Sequence, residues 1–271
     1  MSKKKEENKV MKWDEELAKL AQIAADEEVT ATGQFFSLKS GVLSYADSPI
    51  PGNEMAVIIL DSICENVFYE GDYDPDNITG PVCFAFGRNV KTLTPHKDVV
   101  EAGTEISDSC ATCENNEWGS ADKGKGKACR NTRRLAMIPA GTFDKDGNFE
   151  MIKNLDHYEN TEPVYMKLPV TSVNGFSSYV NSLASSLKRP PFGVITKVSV
   201  VPDPKSQFRV LFQALDNVPD ECIAAIVKRH EEIKDLIEFP YSMMTEDEGP
   251  EKKPAKKGKA VKKTAGKKRK Y

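Results

Sequence analysis

The pattern Cys110-Ala111-Thr112-Cys113, followed by Cys129 after 15 intervening residues, constrains this chain more than any other feature of its 271 residues. The loop between these thiols is rich in Asn, Gly and Lys, with little apolar surface to offset the entropy of ordering it. Two thiols two residues apart can grip one ion from a tight turn, and a third from a distant segment closes the loop around it. A metal would then supply most of the energy that fixes the loop. Zinc, one per chain and structural, fits this donor set. Unrelated buried thiols are the bland alternative, and an iron–sulfur cluster is a more remote one.

A closed zinc site needs a fourth ligand, and two residues compete. Cys83 lies in Val82-Cys83-Phe84-Ala85-Phe86, where strand alternation puts it on the face opposite Val82, Phe84 and Phe86, toward the thiol-bearing segment. His96 is the alternative, nearer in sequence and within that segment. Cys83 comes first because a ligand on a strand would clamp the loop to a sheet. Cys64 and Cys222, each beside an isoleucine, read as core cysteines, and His157 and His230 as surface histidines.

The formal charge of −3 hides a segregation. Residues 251–271 hold eleven Lys/Arg against one acid, a net of +10, which leaves −13 on residues 1–250. Such a tail cannot bury enough apolar surface to order itself and acts through charge. The longest apolar run, Met55 to Leu60, is far short of the roughly 20 residues a membrane span needs and reads as a buried strand. The N-terminal MSKKKEENKV lacks the apolar stretch of a secretory signal, so a reducing, intracellular setting is expected.

Residues 1–10 read as a disordered start. Met11 to Glu27 reads as a short amphipathic helix carrying Trp13, Leu17, Leu20, Ala21 and Ala24 on one side, a face that must pack on something. Strand patterns follow at 34–38, 42–45, 55–69, 81–86, 133–138, 164–168, 193–201 and 207–215, with helices from Thr171 to Leu187 and from Pro219 to about Glu238. Many strands with late helices imply an α+β fold: an antiparallel β-rich core, an oligonucleotide-binding-like barrel in the first instance, with a zinc-bearing insertion at 88–132. One β-rich nucleic-acid-binding domain over 11–245 and a disordered Lys-rich tail over 246–271 complete the expected organisation.

Three lysines and three arginines, Lys123, Lys125, Lys127, Arg130, Arg133 and Arg134, fall within a dozen residues, and Trp118 precedes them. Glycines between the lysines let the backbone approach phosphate closely, and an indole offers a flat face for an unpaired base. The combination points to single-stranded nucleic acid. A phosphate-binding P-loop is excluded, because Gly124-Lys125-Gly126-Lys127 lacks the required spacing and the preceding strand. The bland reading has Trp118 covering the metal site and the lysines as solvated charge.

Pro81-Val82-Cys83, then Cys110-x2-Cys113-x2-Asn116-x-Trp118-Gly119-Ser120, then Gly124-Lys125-Gly126-Lys127-x-Cys129-x3-Arg133-Arg134-Leu135 resembles a set of poorly characterised bacteriophage proteins over residues 81–135. More loosely, a metal-bearing insertion in a β-rich body resembles the zinc-containing single-stranded DNA-binding proteins of T-even phages, whose ligands include a His preceding three Cys, as His96 does here. Two features depart from that pattern: the Cys-x2-Cys pair comes before the lone Cys, and the C-terminus is basic where theirs is acidic. The resemblance implies a phage protein of DNA replication or recombination in the cytoplasm of an infected bacterium, with replication proteins as further partners and with no membrane or small-molecule substrate. A zinc-stapled interaction or virion component is the alternative. An enzyme is not expected, since no H-E-x-x-H, deaminase signature or paired nucleophile and base is visible.

Overall fold

In the computed structural model the described residues are 35–45, 48–71 and 79–241. They form an α+β fold built on one mixed, mostly antiparallel sheet of ten strands. The first half supplies β1 (Phe35–Lys39), β2 (Val42–Tyr45), β3 (Ser48–Pro49), β4 (Glu54–Phe68), β5 (Cys83–Gly87) and β6 (Arg130–Phe143). The second half adds β7 (Phe149–Met151), β8 (Val164–Leu168), β9 (Val194–Asp203) and β10 (Gln207–Asn217). The strand order is β10-β9-β4-β6-β8-β1-β2-β3, with β5 on β4 and β7 on β6, and β1 runs parallel to β8. The helices are α1 (Lys97–Glu101), α2 (Leu155–Asn160), α3 (Val170–Ser182) and α4 (Asp220–Leu236). The expected helix at 11–27, the disordered start at 1–10 and the tail at 246–271 lie outside the described residues.

β4 explains why its sequence is so uniformly apolar: it is buried on both faces. Val57 and Ile59 join one core with Leu135, Met137, Met166 and the α3 residues Phe176 and Tyr179. Ala56, Ile58 and Leu60 join a second core with Tyr158 of α2 and Cys222, Ile226 and Ile233 of α4. A sheet covered on both sides selects a continuous hydrophobic run rather than alternation. An irregularity in the β4–β6 pairing between Ile59 and Asp61 then shifts the parity, so that Ile63 faces the second core and Cys64 the other side.

The sheet is strongly curled. β10 and β2 are six strand positions apart in the order, which for a flat sheet means roughly 29 Å. Yet a Cβ on Gly41, in the β1–β2 turn, would lie 3.2 Å from Cβ of Phe208 in β10. Helix α3 sits in the seam, and Ser172 Oγ accepts a hydrogen bond from the outward N–H of Val210 at 2.9 Å, capping that part of the edge. Of the expected fold, the α+β class and the mostly antiparallel sheet are observed, and among the described residues no ladder joins β10 to the β1–β3 end to close a barrel.

Several local expectations are corrected. The helix expected from Thr171 begins at Val170 after Pro169, without a side-chain cap, and its last turn, Leu183–Leu187, is π-helical. The polar segment closes at Cys129, since β6 already starts at Arg130. His157 and His230 are not loose surface residues. His157 Nε2 bonds the carbonyl of Pro139 at 2.8 Å, and His230 Nδ1 bonds that of Leu60 at 2.7 Å while stacking on Phe192. No helix among the described residues is long and apolar enough to cross a membrane.

Candidate functional site

The insertion is laid on the β4–β5 hairpin by both side chain and backbone. Cys64, Ala85 and Leu93 pack with Cys110 on one face, and Val67 and Phe84 pack with Val99 on the other. Cys110 N–H donates to the Leu93 carbonyl at 3.0 Å, His96 N–H to that of Phe84 at 2.9 Å, and Thr104 Oγ1 to that of Val82 at 2.7 Å. Beyond Cys113 a short 3₁₀ turn, Glu114–Asn116, returns the chain. Asn115 then accepts the Cys129 N–H at 2.7 Å, and Asn116 Nδ2 donates to the Cys110 carbonyl at 2.6 Å. The two asparagines thus splice the two cysteine segments together.

Cys83, Cys110, Cys113 and Cys129 line one cavity of about 20 Å³ together with Asn66, Phe68 and Phe84, a space on the scale of a single small sphere. Cys83 opens β5 opposite Phe68, and the alternation of that strand points it at the insertion. Burial raises the Cys83 and Cys110 thiols above their usual range, and burial with three neighbouring thiols pushes Cys129 up to about 12. Such crowding disfavours several thiolates unless a cation shares the space. Four soft sulfur donors match what structural zinc takes. Among the described residues no group of three or more His, Cys, Asp or Glu side chains stands at metal-ligating spacing, so the thiols converge on the cavity without being drawn to bonding distance. His96 takes another role: its Nδ1 accepts the Asp98 N–H at 3.3 Å as the cap of α1, and its ring stacks on Phe84. It does not line the cavity, which Pro95 does.

The loop above the cysteines is closed on itself. Gly119 N–H donates to the Gly126 carbonyl at 2.8 Å, with Gly119 at φ 94°, a conformation open to glycine. Ser120 Oγ donates to the carbonyls of Asn115 and Glu117 and accepts the Ala128 N–H. Trp118 rides on this frame 79% exposed and is not among the residues that line the cysteine cavity. Lys127 bonds Asn116 Oδ1 at 3.1 Å, and its Nζ stands 5.9 Å from the Trp118 ring centre. Lys123, Lys125 and Arg130 are exposed, and the Arg130 guanidinium stands 5.5 Å from the ring of Tyr69.

The last two arginines are placed otherwise than expected. Adjacent residues of β6 face opposite sides, so Arg133 and Arg134 cannot serve one surface. Arg134 is 3% exposed, ion-paired with the fully buried Glu65 at 3.0 Å, and donates to the carbonyls of Ile237 and Phe239. Its planar cation is sandwiched by aromatic rings, 3.9 Å from Phe239 and 4.5 Å from Phe86. Tyr241 donates to Glu65, and Lys167 to Tyr241. Arg133 donates to Ser62 Oγ and Cys64 Sγ on the other face. Sequence reasoning also passed over Asn66, Asn115, Asn116 and Tyr69. Of these only Asn116 had a signal, as a specified position of the Cys110-x2-Cys113-x2-Asn116-x-Trp118 pattern.

Compared with known proteins, the chain matches no family model, no curated protein and no solved structure. The site must speak through its own chemistry.

Proposed function

We propose that this protein binds single-stranded nucleic acid, DNA in the first place, on its insertion, with one structural zinc held by Cys83, Cys110, Cys113 and Cys129. It would serve phage DNA replication or recombination in an infected bacterium's cytoplasm, with replication proteins as further partners. Trp118 carries the reading: an indole 79% exposed on a loop tied back at every turn. That placement gives the fold little, whereas stacking on an unpaired base is worth about 1–3 kcal/mol. Lys123, Lys125, Lys127 and Arg130 supply phosphate contacts; Arg133 and Arg134 are left out, their guanidiniums being engaged inside the body. The role is one of binding, since a zinc closed by four thiolates keeps no position for substrate. The curled sheet serves as scaffold in the manner of an oligonucleotide-binding barrel, by curvature and not by strand circuit. One observation favours a second reading, a zinc-stapled interaction or virion component: the −13 on residues 1–250 repels DNA wherever basic groups are not gathered.

A titration with single-stranded oligonucleotide separates the contributions. In a Trp13→Phe background, Trp118→Ala is expected to weaken binding roughly tenfold at any salt concentration. Lys125→Ala with Lys127→Ala acts mainly at low salt and flattens the dependence on log salt by about one unit per lost contact. Trp118 fluorescence that stays unquenched at saturating oligonucleotide overturns the stacking role.

Deleting residues 251–271 is expected to lower affinity and salt slope together while leaving the melting temperature unchanged, because a tail with eleven basic residues adds phosphate contacts and no core. Unchanged affinity and slope assign the tail to solubility or to a protein partner.

A further inference from the structure

Asn66 is buried in the middle of the sheet at 3% exposure, with its backbone laddered to Ala85 of β5 on one side and to Asn131 of β6 on the other. Its side chain lines the cysteine cavity. A carboxamide is costly in such a place unless both of its ends are satisfied. The acceptor end is satisfied, because Asn131 Nδ2 donates to Asn66 Oδ1 at 2.8 Å. That bond fixes which way the amide points and leaves its NH2 end, which can only donate, to the thiols. The sulfur it meets is that of Cys110: burial raises this thiol, and the hydrogen bond with Asn66 pulls it back. A matching arrangement serves Cys83, which burial raises and the Ile106 backbone N–H opposes in the same way. Each donor crosses the boundary between hairpin and insertion. Asn66 on β4 reaches a cysteine of the insertion, and Ile106 of the insertion reaches the cysteine that opens β5.

We infer that Asn66 is a positioning residue of the metal centre, holding the Cys110 sulfur in its ligating orientation through an N–H···S bond that Asn131 keeps aimed. The inference rests on the four-cysteine reading proposed above. Four thiolates around one divalent ion leave two negative charges over, and a donor that draws density from a sulfur eases their burial. Leucine would fill the same space in this largely apolar hairpin, so the asparagine is explained by its donor and not by its bulk. Because Asn66 and Asn131 both sit on strands, the donor is in place before any ion arrives.

The test loads the full chain with cobalt(II) in place of zinc and reads the sulfur-to-cobalt charge-transfer band. Asn66→Leu, which keeps the bulk and deletes the donor, should still take one cobalt per chain, but roughly 10- to 100-fold more weakly in competition with a chromophoric chelator. Its band should move to lower energy, since the sulfur lone pairs are no longer held down by the N–H. Asn66→Asp, the same shape with an acceptor where the donor was, should bind more weakly still. Asn131→Leu, which frees the amide to turn, should shift the band in the same direction by less. A merely structural asparagine would change the urea midpoint and leave the band where it is. The unaltered protein loaded with cadmium-113 gives a second readout that needs no variant to fold: a side-chain amide proton of Asn66 should show scalar coupling to the metal through the sulfur. A wild-type chain that takes up neither cobalt nor cadmium defeats the metal centre, and this inference with it. A centre that loads normally, with no coupling to Asn66 and an unmoved band in Asn66→Leu, overturns the inference alone.

Discussion

Cys113→Ser is expected to abolish stoichiometric metal binding and to melt the insertion, lowering the thermal midpoint by more than Cys222→Ser does. The asymmetry follows from what each thiol supports. Cys222 is a buried side chain among isoleucines of the second core, and its loss costs a local repacking. Cys113 is one of four thiols around a cavity whose surrounding loop has few apolar contacts of its own, so with the proposed zinc in place the metal's binding energy would be the loop's folding energy. Apparent values for structural zinc in small domains run to about 10–16 kcal/mol, far above a cavity-scale substitution. Metal analysis of the purified protein should return one zinc per chain, and chelation should reproduce the Cys113→Ser effect. Iron, no metal with four free thiols, or equal losses for the two variants would each defeat the assignment. His96→Ala should leave the stoichiometry intact, since His96 caps α1 and does not line the cavity.

The buried pair gives the second large effect. Arg134→Met alone, or Glu65→Leu alone, strands a charge in an interior where both partners are almost wholly inaccessible, at a cost of about 3–5 kcal/mol. The double variant should recover part of that loss, because it strands neither Glu65 nor Arg134, while Tyr241, Lys167 and the carbonyls of Ile237 and Phe239 still lose a partner. Burial first, and Glu65 second, hold the Tyr241 phenol well above its usual range, so it stays a donor to the carboxylate. Urea denaturation of the two singles and the double forms the cycle. Additive losses would mean that each side chain acts through packing alone. Neither variant is expected to change the salt slope of oligonucleotide binding, which distinguishes Arg134 from Lys125 and Lys127.

Much of the sheet was legible because its physical causes are local. The run from Met55 to Leu60 could only be a buried strand, and the face of Cys83 followed from alternation with Phe84 and Phe86. What escaped depends on partners far away in sequence. Arg134 looked like part of a basic cluster, yet its fate is set by Glu65, 69 residues earlier, and by carbonyls beyond α4. His157 and His230 had no spaced neighbours, but Pro139 and Leu60 offer them backbone oxygens that no side-chain pattern announces. The short elements β3, β7, α1 and α2 carry too few residues for a period to show. For Trp118, composition left covering and stacking equally open. Its exposure is decided by the tight turns at Gly119 and Ser120, which lift it off the cysteines.

The curl of the sheet bears on how this body can move. A barrel closed by ladders must break backbone hydrogen bonds to open. Among the described residues the ends approach through Phe208 against Gly41, while the Ser172–Val210 bond ties β10 to α3, so the seam can gape by parting a ring from a turn with no ladder to break. Amide exchange should therefore be fastest along β10 and the β1–β2 turn and slowest in β4 and β6. Any swelling of the core would be taken up at α3, leaving the strands that carry the cysteines as the rigid reference frame.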